Sequence, residues 1–272
     1  MDIVRTVQYA LAEDIGAGDL SAELLPSDLI VTAKLVSRQD AVLCGIQWFE
    51  QTFVCVDSTV DIAWHASDGD DINNEQVLCV VKGSARNIVT AERTALNFVQ
   101  TLSGTATTTK RYVQALRGTK ARILDTRKTL PGLRHAQKYA VRCGGATNHR
   151  MGLYDGILIK ENHINAAGSI TAALGKCRRH AIHGRLVEVE VETLAELHEA
   201  LAAGATRILL DNFDLEEMTT AVNVNDGRAE LEASGMVTLK NVRAIAKTGV
   251  DYISVGALTK HVSAVDLSLR ID

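Results

Sequence analysis

From about residue 120 onward the chain alternates short apolar runs with amphipathic ones, and no other feature restricts its fold as much. The stretches "RILDTR" (122–127), "GILIK" (156–160), "LVEVEVE" (186–192), "RILLDN" (207–212), "AELEASG" (229–235) and "DYISVGA" (251–257) read as strands. Helical stretches separate them, such as "TLAELHEALAAG" and "TLKNVRAIAKTG", each closed by a glycine that can stop a helix. Repeated βα units imply parallel strands joined by right-handed crossovers. Six units fall short of the eight of a closed barrel. The pattern therefore predicts an incomplete or irregular parallel α/β barrel over residues 116–261.

The texture before residue 115 differs. "VTAKLVSRQDAVLCGIQWFEQTFVCV" and "QVLCVVKGSARNI" read as strands around a helix, and "TAERTALNFVQTLSGTATTTKRYVQAL" reads as a helix. Ala91, Ala95, Phe98, Val99 and Leu102 are spaced for one buried face of it. An N-terminal α/β domain over residues 1–115 follows. With 46% hydrophobic residues and only 4% aromatic, both cores must be built mainly from Ala, Val, Ile and Leu.

Composition also narrows the function. No run approaches the roughly 18 apolar residues of a membrane helix, and the first residues lack the basic flank and apolar core of a secretory signal. The five cysteines are scattered, without C-x-x-C spacing, which argues against a zinc site or disulfide framework and fits a reducing cytoplasm. Basic residues form no long run interleaved with aromatics, so no nucleic-acid partner is expected.

The polar residues concentrate where strands end, the face on which barrel active sites are built. "DTRKTLPGLRHAQKYAVRCGGATNHR" (125–150) holds six Lys or Arg and two His in a chain of formal net charge -4. Arg127 and Lys128 end one strand, His149 and Arg150 follow a glycine-rich turn, and Lys160 ends the next strand. Such cations repel one another unless an anion joins them, and Arg offers a planar fork for carboxylate or phosphate. The pattern predicts a polyanionic ligand. Arg134, Lys138 and Arg142 have helical spacing and read as a solvated face.

In "VEVEVET" alternation sends Glu188, Glu190 and Glu192 to one side, into the barrel near its mouth. Asp211 ends the apolar run "ILLDN", where a carboxylate needs a partner. Glu190 and Asp211 either hold Mg²⁺ or ribose hydroxyls, or pair internally with Lys160 or a similar base. The last two strands end in "ASGM" and "SVGA", where a glycine and a following helix start suit a phosphate, or make tight turns alone.

The segments "AERTALNFVQTLSGTAT", "DTRKTLPGLRHAQKYAVRCGGATNHR", "DGILIKENH", "EVEVE", "LLDN", "LEASGMV" and "DYISVGALT" occur in an order that resembles the quinolinate phosphoribosyltransferase family, decarboxylating enzymes of NAD biosynthesis. The similarity runs from about residue 13 to the end. It implies an N-terminal α/β sandwich and an incomplete, mostly parallel α/β barrel, with a final strand around "VDLSLRI" (about 262–272) returning to the first domain. It implies conversion of quinolinate and phosphoribosyl pyrophosphate (PRPP) to nicotinate mononucleotide, CO₂ and pyrophosphate, with Mg²⁺ as cofactor. It also implies a cytoplasmic homodimer in which Arg93, by pattern alone an exposed helix residue, reaches the partner's site.

Carried over by position, Arg93, Arg127, His149, Arg150 and Lys160 would surround quinolinate, Thr126 would be among the substrate-binding residues, and Lys128 and Lys160 would approach PRPP. Glu190 and Asp211 would serve ribose, Mg²⁺ and developing charge, with Lys160 as a general-acid candidate. Ser234, Gly235 and Met236, and Val255, Gly256 and Ala257, would bind the 5-phosphate through backbone N–H groups. Met236 stands where many relatives have glycine, and Lys260 where some have histidine. Three rival readings share parts of the pattern: an aldolase using Lys160 as a Schiff base, a family relative with another substrate, and a non-enzymatic anion binder.

Overall fold

The computed structural model describes residues 3–182 and 184–271, the side chains of 178–182 apart. Met1, Asp2, His183 and Asp272, which the expected domain bounds take in, lie outside the described residues. The chain divides into two units: Met1–Lys110 with Pro131–Gly145 and His261–Asp272, and Arg111–Leu130 with Ala146–Lys260.

The elements of the first unit are α1 (Ile3–Ile15), β1 (Ile30–Ser37), β2 (Ala41–Val42), α2 (Ile46–Val56), β3 (Asp61–Trp64), β4 (Asp71–Ile72), β5 (Val77–Ser84) and the long helix α3 (Ala85–Ala115), which belongs to it as far as Lys110. α4 (Arg134–Cys143) and the last strand, β12 (Leu267–Ile271), complete it. Burial alternates along β1, as period-two patterning requires of a sheet with one covered face. The four strands run in the order β12-β1-β5-β3 with antiparallel ladders throughout. Leu35 faces Leu269, so the chain's end does return to the first unit. One face of α3, with Ala91, Ala95 and Val99, packs against Leu35, Phe49, Phe53 and Val81 in a single core cluster.

The basic helix α4 departs from the expected domain bounds. Its residues fall within 116–261, yet Ala136 and Ala140 pack with Val7, Trp48, Phe98 and Leu102 of the first unit. Helical period reveals an apolar face but not which surface it meets. The solvated-face reading also needs correction: Lys138 is fully buried, as is Gln137, while Arg142 is exposed.

The second unit holds β6 (Arg122–Leu124), β7 (Gly156–Ile159), α5 (Glu161–Ala167), α6 (Ile170–Ile182), β8 (Leu186–Val191), α7 (Leu194–Ala202), β9 (Arg207–Asp211), α8 (Leu215–Asn225), β10 (Glu230–Ser234), α9 (Val242–Lys247), β11 (Tyr252–Ser254) and α10 (Ala257–Lys260). Local chemistry sets the boundaries. Thr193 and Glu196 form a reciprocal capping box that starts α7, and Gly204 follows its end at φ 79°. The six strands pair in parallel in the order β6-β11-β10-β9-β8-β7. β6 and β7 are the edges, and residues 147–150 run between them. The Thr147 N–H donates to Ile123 O at 3.0 Å, and an Arg150 guanidinium N–H donates to Gly156 O at 3.0 Å. An irregular segment thus takes the place of missing strands, which is the physical content of an incomplete barrel.

Candidate anion-binding active site

Strand polarity in the second unit carries one end of every strand to the same rim, and the side facing the lumen is polar. A cavity of about 290 Å³ opens there, lined by Thr126, Arg127, Lys128, His149, Arg150, Lys160, Glu190 and Ser234 from the expected set, together with Leu158, Leu209, Glu232 and Ser254. Sequence reading missed Leu158, Leu209 and Glu232, and had Ser254 only as part of the strand end "SVGA". A larger cavity of about 730 Å³ lies in the first unit, but its charged lining (Arg5, Glu13, Asp14) is of mixed sign.

The cations are close enough to disturb one another. Burial, and then the charge of Arg127, lowers the affinity of Arg150 for its proton; Glu188 and Asp155 oppose the effect. Positive charges held together at such a cost are poised for an anion. Lys160 Nζ meets Glu190 Oε2 at 2.6 Å, with the lysine side chain 48% exposed. The internal pairing considered for Glu190 therefore exists in this state. Lys128 is exposed; its own N–H donates to Thr126 Oγ1 and its carbonyl accepts from the buried Thr259 hydroxyl, fixing the loop from both sides.

Below the rim lies an ion network. His149 Nε2 is 2.8 Å from Glu188 Oε2 and 3.6 Å from Glu232 Oε2. Arg207 reaches Glu188 through Nε at 3.2 Å and Glu232 through Nη2 at 2.8 Å, and its guanidinium lies 4.0 Å from the Tyr252 ring centroid. The Ser254 hydroxyl donates to Glu232. Burial and the neighbouring Glu188 charge push the Glu232 carboxyl up to about 7. Burial works to raise Glu188 as well, but the hydrogen bond from His149 and the Arg207 charge outweigh it and hold that carboxyl low. His149, Glu188 and Glu232 bring ligand-type atoms within 4.8 Å of one another. The guanidinium of Arg207 already supplies the cation such a cluster needs, so it reads as an ion network rather than a metal centre.

Glu188 follows from the "VEVEVE" alternation. Glu232 could have been found in the same way, because "ELEAS" puts Glu230, Glu232 and Ser234 on one side of β10. Arg207, opening β9, carries no local signal of burial. Nor does Asp125, fully buried, whose carboxylate accepts from the His149 N–H at 2.9 Å and from the Asn148 amide, pinning the segment that closes the barrel.

The other expected residues lie off the cavity wall. Arg93 is exposed on α3, in the first unit. Asp211, half-buried at the end of β9, accepts from Asn212 Nδ2 at 2.9 Å. After β10 no helix starts at once: α9 begins at Val242, after a turn in which the Asn241 side chain accepts from the Thr238 N–H and donates to Met236 O. Met236 is 89% exposed at φ 39°, a left-handed conformation that favours glycine. Gly235, at φ 106°, is needed for space, since a Cβ there would collide with the Asn212 side chain. Gly235→Ala should therefore lower stability by about 1–3 kcal/mol. Equal denaturation midpoints for the two proteins would show that the loop yields freely. After β11, α10 starts at Ala257, and Gly256 lets Lys128 pack against the backbone.

Comparison with known proteins agrees with this arrangement. Residues 19–103 match the model of the quinolinate phosphoribosyl transferase N-terminal domain, and residues 105–270 that of its C-terminal domain. A probable nicotinate-nucleotide pyrophosphorylase [carboxylating] of Bacillus subtilis is 40% identical, covering 100% of this chain and 94% of that protein. Quinolinate phosphoribosyltransferase [decarboxylating] 1b of Nicotiana tabacum is 42% identical over 100% of this chain and 83% of its own length. The solved nicotinate-nucleotide pyrophosphorylase of Francisella tularensis superposes with a TM-score of 0.96 at 48% identity, covering 100% of this chain and 96% of that one. With both domain models matched in order along a chain whose strand ends gather these cations, the protein belongs to the quinolinate phosphoribosyl transferase family.

Proposed function

We propose that this protein is a decarboxylating quinolinate phosphoribosyltransferase, converting quinolinate and PRPP to nicotinate mononucleotide, CO₂ and pyrophosphate in NAD biosynthesis. The observation that carries the reading is the cavity that gathers Arg127, Lys128, Arg150 and Lys160 at the strand ends. Quinolinate brings two adjacent carboxylates, and PRPP a phosphate and a pyrophosphate. In this reading Thr126, Arg127, Arg150 and Lys160 take the quinolinate carboxylates with His149 beside Arg150, Lys128 and Lys160 face PRPP, and Arg93 of the partner subunit completes the site in a homodimer. Backbone N–H groups of Ser234, Gly235 and Met236, and of Val255, Gly256 and Ala257, receive the 5-phosphate.

Cleavage of the ribose C1–O bond sends its electron pair to pyrophosphate and leaves an oxocarbenium-like ribose. Glu190 or Asp211 stabilises that charge, and the arginines hold the pyridine nitrogen in line to form the new bond to C1. The ribosylated nitrogen is cationic, so the C2–carboxylate bond can break, its electron pair remaining on C2 while CO₂ departs. Lys160 or water then protonates C2. Mg²⁺ fits this donor set: Glu190 and Asp211 end neighbouring strands, and the ion favours one or two carboxylates with substrate phosphates and water. When bound, it supplies positive charge to the pyrophosphate.

The Schiff-base rival asks for a desolvated lysine, whereas Lys160 is half-exposed and ion-paired. A cytoplasmic setting is part of the proposal and rests on the five scattered cysteines, which have no C-x-x-C spacing; no described helix is long and apolar enough to cross a membrane. The deciding experiment incubates the purified protein with quinolinate, PRPP and Mg²⁺ and follows CO₂, pyrophosphate and product mass together. Equimolar release of all three products supports the assignment; binding without turnover refutes it. A second experiment tests the shared site. Arg93→Ala and Lys160→Ala should each be inactive alone and recover about a quarter of wild-type activity when mixed as dimers, as random assortment of two half-sites gives one intact site in half of the dimers. No recovery would place Arg93 outside the partner's site.

A further inference from the structure

His149 has both ring nitrogens engaged by the protein. Nδ1 lies 2.7 Å from the backbone N of Arg150, which can only donate, so Nδ1 must be the bare, accepting nitrogen. The proton of the ring then sits on Nε2, aimed at Glu188 Oε2 at 2.8 Å with Glu232 Oε2 at 3.6 Å. The ring is nearly enclosed, its side chain 8% exposed. Behind it, Arg207 ties the two carboxylates into one unit. The backbone N–H of His149 is taken by Asp125. On the far side, Arg150 is the cation whose guanidinium donates to Gly156 O across the open edge of the barrel.

We propose that His149 is a positioning residue: a neutral Nε2–H imidazole, locked between Glu188 and the Arg150 backbone, that aims Arg150 at the anionic substrate and gives no N–H to the substrate itself. This deepens the functional reading above and rests on it for the identity of the anion. Histidines are commonly read as anion ligands when they sit among arginines. Here the geometry leaves such a ligand no donor: Nδ1 is an acceptor and the Nε2 proton is committed to buried carboxylates. Freeing that proton would leave the buried Glu188 Oε2 without its His149 donor, which is costly. The ring therefore acts through what it orients, as the partners of metal-bound histidines do in reverse. Glu188, Glu232 and Arg207 become a second layer that fixes the tautomer.

Two measurements on the full protein test this. The ring ¹⁵N spectrum of His149, identified by its loss in His149→Asn, is recorded with and without saturating quinolinate. The expected result is the Nε2–H tautomer in both; an imidazolium, or a ring whose protonated nitrogen changes on binding, overturns the proposal. Quinolinate affinity is then measured by calorimetry in a double-mutant cycle. His149→Ala should weaken binding about tenfold in the native background but less than about twofold in Arg150→Ala, because one pathway has already been removed. His149→Asn, which can still accept from the Arg150 N–H, should remain within about threefold of native. Independent, multiplying losses would show that His149 touches the ligand directly. If the unaltered protein does not bind quinolinate, the functional reading falls, and the ring spectrum of the free protein still decides the tautomer.

Discussion

Arg207→Ala should lower the free energy of unfolding by about 3–5 kcal/mol at pH 8, the usual consequence of removing one partner from a buried ionic cluster. The guanidinium is the only hydrogen-bonded cation that the described contacts give to both Glu188 and Glu232, two carboxylates that are fully buried. Without it they face one another with His149 and Ser254 as their remaining partners. The effect depends on pH, and its sign can be worked out. In the native protein Glu232 is raised from an ordinary 4.5 to about 7 by burial and by the Glu188 charge. A raised carboxyl binds more protons in the folded state, so its contribution to stability is fully present below about pH 4.5 and lost as pH rises through about 7. Removing Arg207 raises it further, which moves the loss to higher pH and enlarges it. The gap between variant and native protein should therefore widen from pH 5 to pH 8. Denaturant unfolding at both values checks this, and a gap that is constant, or below about 1 kcal/mol at pH 8, would remove the network from the list of what holds the barrel together.

That network also marks the limit of what the sequence discloses. Period-two alternation predicted that the "VEVEVE" glutamates face inward, and the structure has Glu188 buried and Glu190 half-buried on the cavity, while Glu192, past the end of β8, is exposed. The same rule applied to "ELEAS" would have delivered Glu232. Arg207 was out of reach because its fate depends on three strands brought together by crossovers, and a basic residue opening a strand is ordinarily solvated. The strands themselves were legible: all six expected runs contain a strand, each shorter than its run because residues at the rim, and in β10 and β11 also the first residue, lie outside the ladder. Helix α4 shows the opposite case. Its period was clear, but Lys138 is buried and its alanines pack into the first unit, since a face is local information and its partner is not. The segment that closes the barrel has no periodicity at all; it is held by Asp125, by a backbone bond to β6 and by the Arg150 guanidinium on Gly156 of β7.

The second large effect concerns binding. Arg127→Ala should weaken quinolinate binding by about 10- to 150-fold, the loss of a charge-assisted contact worth about 1.5–3 kcal/mol, while PRPP affinity changes by less than about threefold. The same substitution should leave stability unchanged or slightly raised. Arg150 holds its proton less tightly in part because of the Arg127 charge, with Glu188 and Asp155 opposing the effect, so the free protein carries a repulsion between the two cations that a bound anion would relieve further. Removing Arg127 relieves it without the ligand. Loss of binding with retained or improved stability is the signature of a site strained for its ligand rather than for the fold. Affinity by calorimetry and unfolding by denaturant, measured on the same preparation, separate the two. Equal losses of quinolinate and PRPP affinity would show that Arg127 serves the pocket as a whole and grips neither anion in particular, and a fall in stability would show that its charge is compensated within the fold before any substrate arrives.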